Sequence, residues 1–136
     1  MGEEQRLKDA APTPLRYAVL HHTGIANPHF DLLIETSPGS PLASWRSAMW
    51  PVTQPTTLLR LNDHRQLYLD FEGRLTNNRG SVKRIETGIC QIDIVTNDRW
   101  NLQLCGHRLT LTHLISENWL CEPAEPGDPD DAQGIK

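Results

Sequence analysis

Apolar and polar residues alternate with period two along most of this chain, and helical periodicity is scarce. The stretch HFDLLIE shows the pattern best. Phe30, Leu32 and Ile34 share one face, while His29, Asp31, Leu33 and Glu35 share the other. The same reading predicts strands over residues 15–21, 29–35, 57–62, 80–86, 88–96, 99–105 and 108–115. NDR and GH between the last three carry hairpin-turn chemistry, and ETSPGSP (35–41) and TNNRG (76–80) read as loops. Many short strands at near-regular spacing predict an all-β fold, mainly antiparallel, built as a barrel or sandwich.

With 136 residues, one domain with a real core is expected. A body over residues 15–122 is flanked by a flexible N-terminal arm (1–14) and an acidic, disordered tail (123–136). The net charge of −4 sits in the C-terminal segment EPAEPGDPDDAQGIK, which leaves the body close to neutral. No apolar run is long enough for a transmembrane helix, and the first residues lack the apolar core of a secretory signal. A cytoplasmic protein without a membrane partner is therefore expected. Cys90, Cys105 and Cys121 form no C-x-x-C pair, so they read as reduced, strand-borne core thiols rather than a zinc or redox motif.

Candidate chemistry concentrates in HHTGIANPHFDLLIE, which holds three of the six histidines. His29 and Asp31 lie two apart on one strand face, and an upstream imidazole would complete a nitrogen-and-oxygen set suited to a divalent metal. The plain alternative is a set of solvated polar residues on a wet strand face. A second constellation is NDHRQLYLDFEG, in which His64 and Tyr68 lie four apart across a turn. An imidazole beside a phenol can move a proton and bind a phosphate oxygen.

These segments, with ASW (43–45), GSV (80–82) and LCGHRL (104–109), come in an order and spacing that resembles one family. It is the 3′-phosphoesterase domain of bacterial ATP-dependent DNA ligase D, together with small proteins similar to it. The likeness runs from about Tyr17 to Glu122. It implies a small β-barrel with a surface groove and at most short helices. It also implies a manganese-dependent hydrolase that removes 3′-ribonucleotides and 3′-phosphates from DNA ends in repair. Carried over, the metal ligands are His29, Asp31 and one of His21 or His22, with His22 chosen because it lies nearer the family's spacing. His64 and Tyr68 take the role of contacting the scissile phosphate. Nucleic acid is the implied partner, DNA 3′ ends that can contain RNA, with ligase and polymerase activities expected on separate proteins.

One departure bears on activity. The family's arginine two residues past the aspartate is Leu33 here, so the phosphate clamp is expected to be damaged, with Arg46 or Arg60 as candidate substitutes. The leading reading is therefore a metal-dependent phosphoesterase. The alternative is a catalytically weakened module that keeps the metal site and groove and binds nucleic-acid ends. An unrelated barrel with structural histidines ranks last.

Overall fold

The computed structural model describes residues 13–124. Nine strands follow in chain order: β1 (Leu15–Thr23), β2 (His29–Glu35), β3 (Leu42–Ser47), β4 (Thr56–His64) and β5 (Gly73–Arg74). After these come β6 (Ser81–Thr96), β7 (Arg99–Leu104), β8 (His107–Ile115) and β9 (Asn118–Pro123). The sheet runs β1-β2-β3-β4-β9-β8-β7-β6 and closes where β6 pairs antiparallel with β1. The result is an eight-stranded antiparallel barrel, all-β as the alternation predicts and closed as the resemblance implies, with β5 appended to the free edge of β6. A single turn of 3-10 helix, Gln66–Leu69, is the one helical element among the described residues. No helix among those residues is long and apolar enough to cross a membrane. The expected arm at 1–14 and acidic tail at 123–136 lie, but for their innermost residues, outside the described residues.

The strands predicted over 80–86 and 88–96 are one continuous strand, β6. Its first part pairs with β1 and its last part with β7, so one strand serves two partners in succession. The pairing with β1 shifts between Val19 and Leu20. Such an irregularity bends and twists the longer strand, which helps a sheet close on itself. Strand β3 was not expected, because ASW is too short for alternation to register.

Two apolar clusters organise the domain. Tyr17, Val19, Leu32, Ile34, Trp45, Leu58 and Leu111 belong to the group that fills the barrel, with Phe30 packed against it. The second cluster lies on the opposite face of β1–β3 and joins Ala18, Leu20, Leu33 and Leu42 to Leu69 and Val82. Strand β2 is consequently buried on both faces, and its polar side is not a wet one. The segment containing the 3-10 turn covers that side, and Glu35 fastens it. The Glu35 carboxylate accepts hydrogen bonds from the Gln66 side chain (2.8 Å), the Arg16 backbone N–H (2.9 Å) and the Gly39 backbone N–H (3.2 Å). Burial pushes its pKa up, but these donors and the nearby Arg16 charge outweigh burial and hold the carboxyl below its ordinary value.

The cysteines correct one expectation. Cys90 and Cys121 are buried, whereas Cys105 is exposed in the β7–β8 turn. Burial, with help from the charges of Glu35 and Cys105, pushes the Cys90 thiol up to about 11; burial and Glu122 push Cys121 up to about 12. Since thiolate is the nucleophile, the folded protein is expected to show one fast thiol towards an aromatic disulfide reagent at pH 8. Cys105→Ser should abolish that phase, and a fast phase surviving the substitution would contradict the burial of the other two.

Candidate functional site

Two neighbouring strands bring the metal-site candidates together. His22, near the end of β1, is the register partner of His29 at the start of β2, and Asp31 follows two residues on. One potential ligand atom from each of His22, His29 and Asp31 lies within 4.8 Å of the other two. His21 lies on the other face and stacks on Phe30, with ring centroids 4.5 Å apart. The upstream imidazole is therefore His22.

Backbone carbonyls set the tautomers. His22 donates Nε2–H to the Arg79 carbonyl (2.6 Å), and His29 donates Nδ1–H to the Asn27 carbonyl (2.8 Å). In the neutral imidazoles this puts the lone pairs on Nδ1 of His22 and Nε2 of His29. Metal-binding histidines usually give the N–H of the ring nitrogen away from the metal to such an acceptor. His29 is only 6% exposed and Asp31 5%. His29 Nε2 and Asp31 Oδ1 are buried without any hydrogen-bond partner among the described residues. The nearest cation, Arg46 Nε, is 3.8 Å from Asp31 Oδ1, within ion-pair range but too far for a hydrogen bond. Buried polar atoms are seldom left unmatched. Two imidazole nitrogens and a carboxylate, with two of these atoms orphaned, could hold a hard or intermediate divalent ion such as Mn²⁺.

The three side chains line a groove of about 590 Å³ that also takes in His64, Tyr68, Arg46 and Arg79. His64 ends β4 and Tyr68 sits on the 3-10 turn, so the turn that covers the outer cluster also delivers the phenol. Their rings meet edge to face, centroids 5.6 Å apart. His64 donates Nδ1–H to the Asn62 carbonyl (3.2 Å), which leaves Nε2 for a ligand. All five residues singled out from the sequence thus share one groove.

The two arginines proposed as substitutes go different ways. Arg46 is the register partner of Asp31 and lines the groove. Arg60 cannot serve there. Its guanidinium packs over Trp45, 4.5 Å from the ring centroid, and within 5.6 Å of the Trp119 ring. Burial lowers its pKa, and Asp63 partly offsets the effect. Position 33 also needs correction as the site of a lost clamp. Leu33 does share the strand face of His29 and Asp31, but it is wholly buried in the outer cluster and does not line the groove.

Sequence reasoning missed Arg79 and Asn27, because both act on the histidines through backbone carbonyls, which no side-chain pattern reports. TNNRG was readable as a turn and no more. Asn77 and Asn78 both adopt left-handed backbone (φ 59° and 57°), the conformation of a tight hairpin turn between β5 and β6. That turn is what carries the Arg79 carbonyl to His22. No protein-family model matches the chain, and no curated protein does.

Proposed function

We propose that this groove is the active site of a divalent-metal phosphoesterase acting on 3′-ribonucleotide or 3′-phosphate ends of DNA, in the manner of the ligase D 3′-phosphoesterase domain. In this reading the protein is a cytoplasmic repair hydrolase and Mn²⁺ its cofactor. The observation that carries the proposal is the convergence of His22, His29 and Asp31, with buried, unmatched ligand atoms, in one groove with His64, Tyr68 and Arg46.

An ion held by His22, His29 and Asp31 would polarise a phosphoryl oxygen and acidify water at the site. The chain's own groups do the rest. Arg46, beside Asp31, supplies a guanidinium to non-bridging phosphate oxygens as charge builds in the transition state. His64, with Nδ1–H held by Asn62, exchanges a proton with the leaving oxygen through Nε2. Tyr68 donates its hydroxyl to the phosphoryl group and, by edge contact, limits how far the His64 ring can turn. Burial of His29 and Asp31 excludes water from one side of the reacting group, where electrostatic contacts then count for more.

The test is Mn²⁺-dependent processing of a duplex whose primer ends in a 3′-ribonucleotide or a 3′-phosphate. Turnover is expected, with kcat reduced about a hundredfold or more by His64→Ala and by a smaller factor in Tyr68→Phe. An absence of turnover on both ends, coupled with tight binding to them, would favour the end-binding module instead. Unaltered kcat in His64→Ala would remove His64 from proton transfer.

A further inference from the structure

Beside the metal groove lies a smaller cavity of about 250 Å³, lined by Gly24, Arg74, Asn78, Gly80 and Ser81. We propose that this cavity is a second anion subsite, which seats the phosphate of a neighbouring nucleotide when the strand's end lies in the groove. The inference rests on the phosphoesterase reading and extends it from one reacting phosphate to a strand with at least two.

Asn78 lines both cavities, so they adjoin. Arg74 and Ser81 are register partners across β5 and β6, which places a guanidinium and a hydroxyl at the same level of the sheet. Arg74 is exposed and has no ion-pair partner among the described residues. The neighbouring Arg79, in contrast, is folded back on its own turn, donating to the Thr76 carbonyl (2.9 Å) and hydroxyl (3.0 Å). Arg74 is therefore the cation of this cavity that can reach a ligand. Guanidinium, amide and hydroxyl donors together match the oxygens of a phosphodiester.

The glycines let the chain close up behind the cavity. Gly24 and Gly80 both have positive φ (76° and 83°), and a Cβ on Gly80 would collide with the Thr23 carbonyl oxygen. A Cβ on Gly24 would come within 3.3 Å of the Gly80 Cα. The chain here is pressed backbone to backbone, and the two glycines give the cavity a stretch of wall that carries no side chain. Because the turn that carries Asn78 also orients His22 through the Arg79 carbonyl, a ligand seated here would be in register with the metal site.

The experiment compares thymidine 3′-phosphate with a thymidine trinucleotide ending in a 3′-phosphate, by calorimetry with Ca²⁺ as the divalent ion. Wild type is expected to bind the trinucleotide about tenfold more tightly, with the ratio falling to about two in Arg74→Ala. Arg108→Ala, which removes an arginine from the outer face of β8, should keep the wild-type ratio and so controls for general charge. Amide resonances of Gly24, Gly80 and Ser81 should shift with the trinucleotide and not with the mononucleotide. Turnover with Mn²⁺ is read separately. If neither ligand is hydrolysed yet the ratio and its loss in Arg74→Ala persist, the subsite stands and the phosphoesterase reading falls. If 3′ ends are processed but the ratio is already one, or is unchanged in Arg74→Ala, the subsite is overturned and the phosphoesterase reading stands. Failure of wild type to bind either ligand overturns both.

Discussion

Leu33→Arg should destabilise the protein by about 3 kcal/mol or more, and should not restore a phosphate clamp. Leu33 has no exposure and packs with Ala18, Leu20, Leu42, Leu69 and Val82 beneath the 3-10 turn. Removing that side chain forfeits roughly 2 kcal/mol of apolar burial. The guanidinium put in its place must be desolvated at a cost of several kcal/mol unless its stem carries the charge out to the groove. Making room for the longer side chain disturbs a cluster that includes Leu69 of the 3-10 turn and has Tyr68 packed against it, so the substitution threatens the site as well as the fold. Urea unfolding followed by tryptophan fluorescence reads the loss directly. Leu33→Met, similar in volume, should cost less than about 1.5 kcal/mol and serves as the control. If Leu33→Arg were as stable as wild type within about 1 kcal/mol and turned over 3′ ends faster, position 33 would be a clamp position after all.

The fate of Leu33 marks where the sequence is legible and where it is not. Period-two alternation in HFDLLIE reports correctly that Leu33 shares a face with His29 and Asp31. It cannot report whether that face meets water, because the cover is supplied by residues more than thirty positions away, held down by Gln66 on Glu35. The same limit explains Arg60. Alternation along β4 allows either side of the sheet, and only barrel closure shows that its guanidinium lies against three tryptophans. By contrast, the His22, His29 and Asp31 set needed only one hairpin and correct facing, both local properties. Choosing His22 over His21 is a matter of parity along β1, and the pairing of His22 with His29 settles it. Tyr68 and His64 were legible as near neighbours in the chain for the same reason. The carbonyls of Asn27 and Arg79 were not, since main-chain acceptors carry no residue-type signal.

Asp31→Asn should reverse sign with metal: it should raise stability in chelator and abolish the stabilisation that Mn²⁺ gives wild type. Without an ion, the Asp31 carboxylate is nearly enclosed, and its Oδ1 has no hydrogen-bond partner. His29 Nε2 lies 3.5 Å from Asp31 Oδ2, and with Nδ1–H given to the Asn27 carbonyl a neutral His29 ring would set a second acceptor against the carboxylate. Arg46 relieves this only partly, from 3.8 Å. An asparagine amide would offer His29 a donor and remove the buried charge, a gain of about 1 kcal/mol. In wild type, an ion bound by the three converging ligands would stabilise the fold by about 2.7 kcal/mol when present at a hundred times its dissociation constant. Asp31→Asn replaces the charged ligand, and its Mn²⁺ affinity should fall by about a hundredfold or more. Thermal unfolding with and without Mn²⁺, on both proteins, gives the four values required. Were His29 and Asp31 an ordinary structural ion pair, Asp31→Asn would instead be destabilised in chelator, and Mn²⁺ would leave wild type unmoved. That pattern would end the metal-site reading, and with it the assignment of this groove to phosphoester hydrolysis.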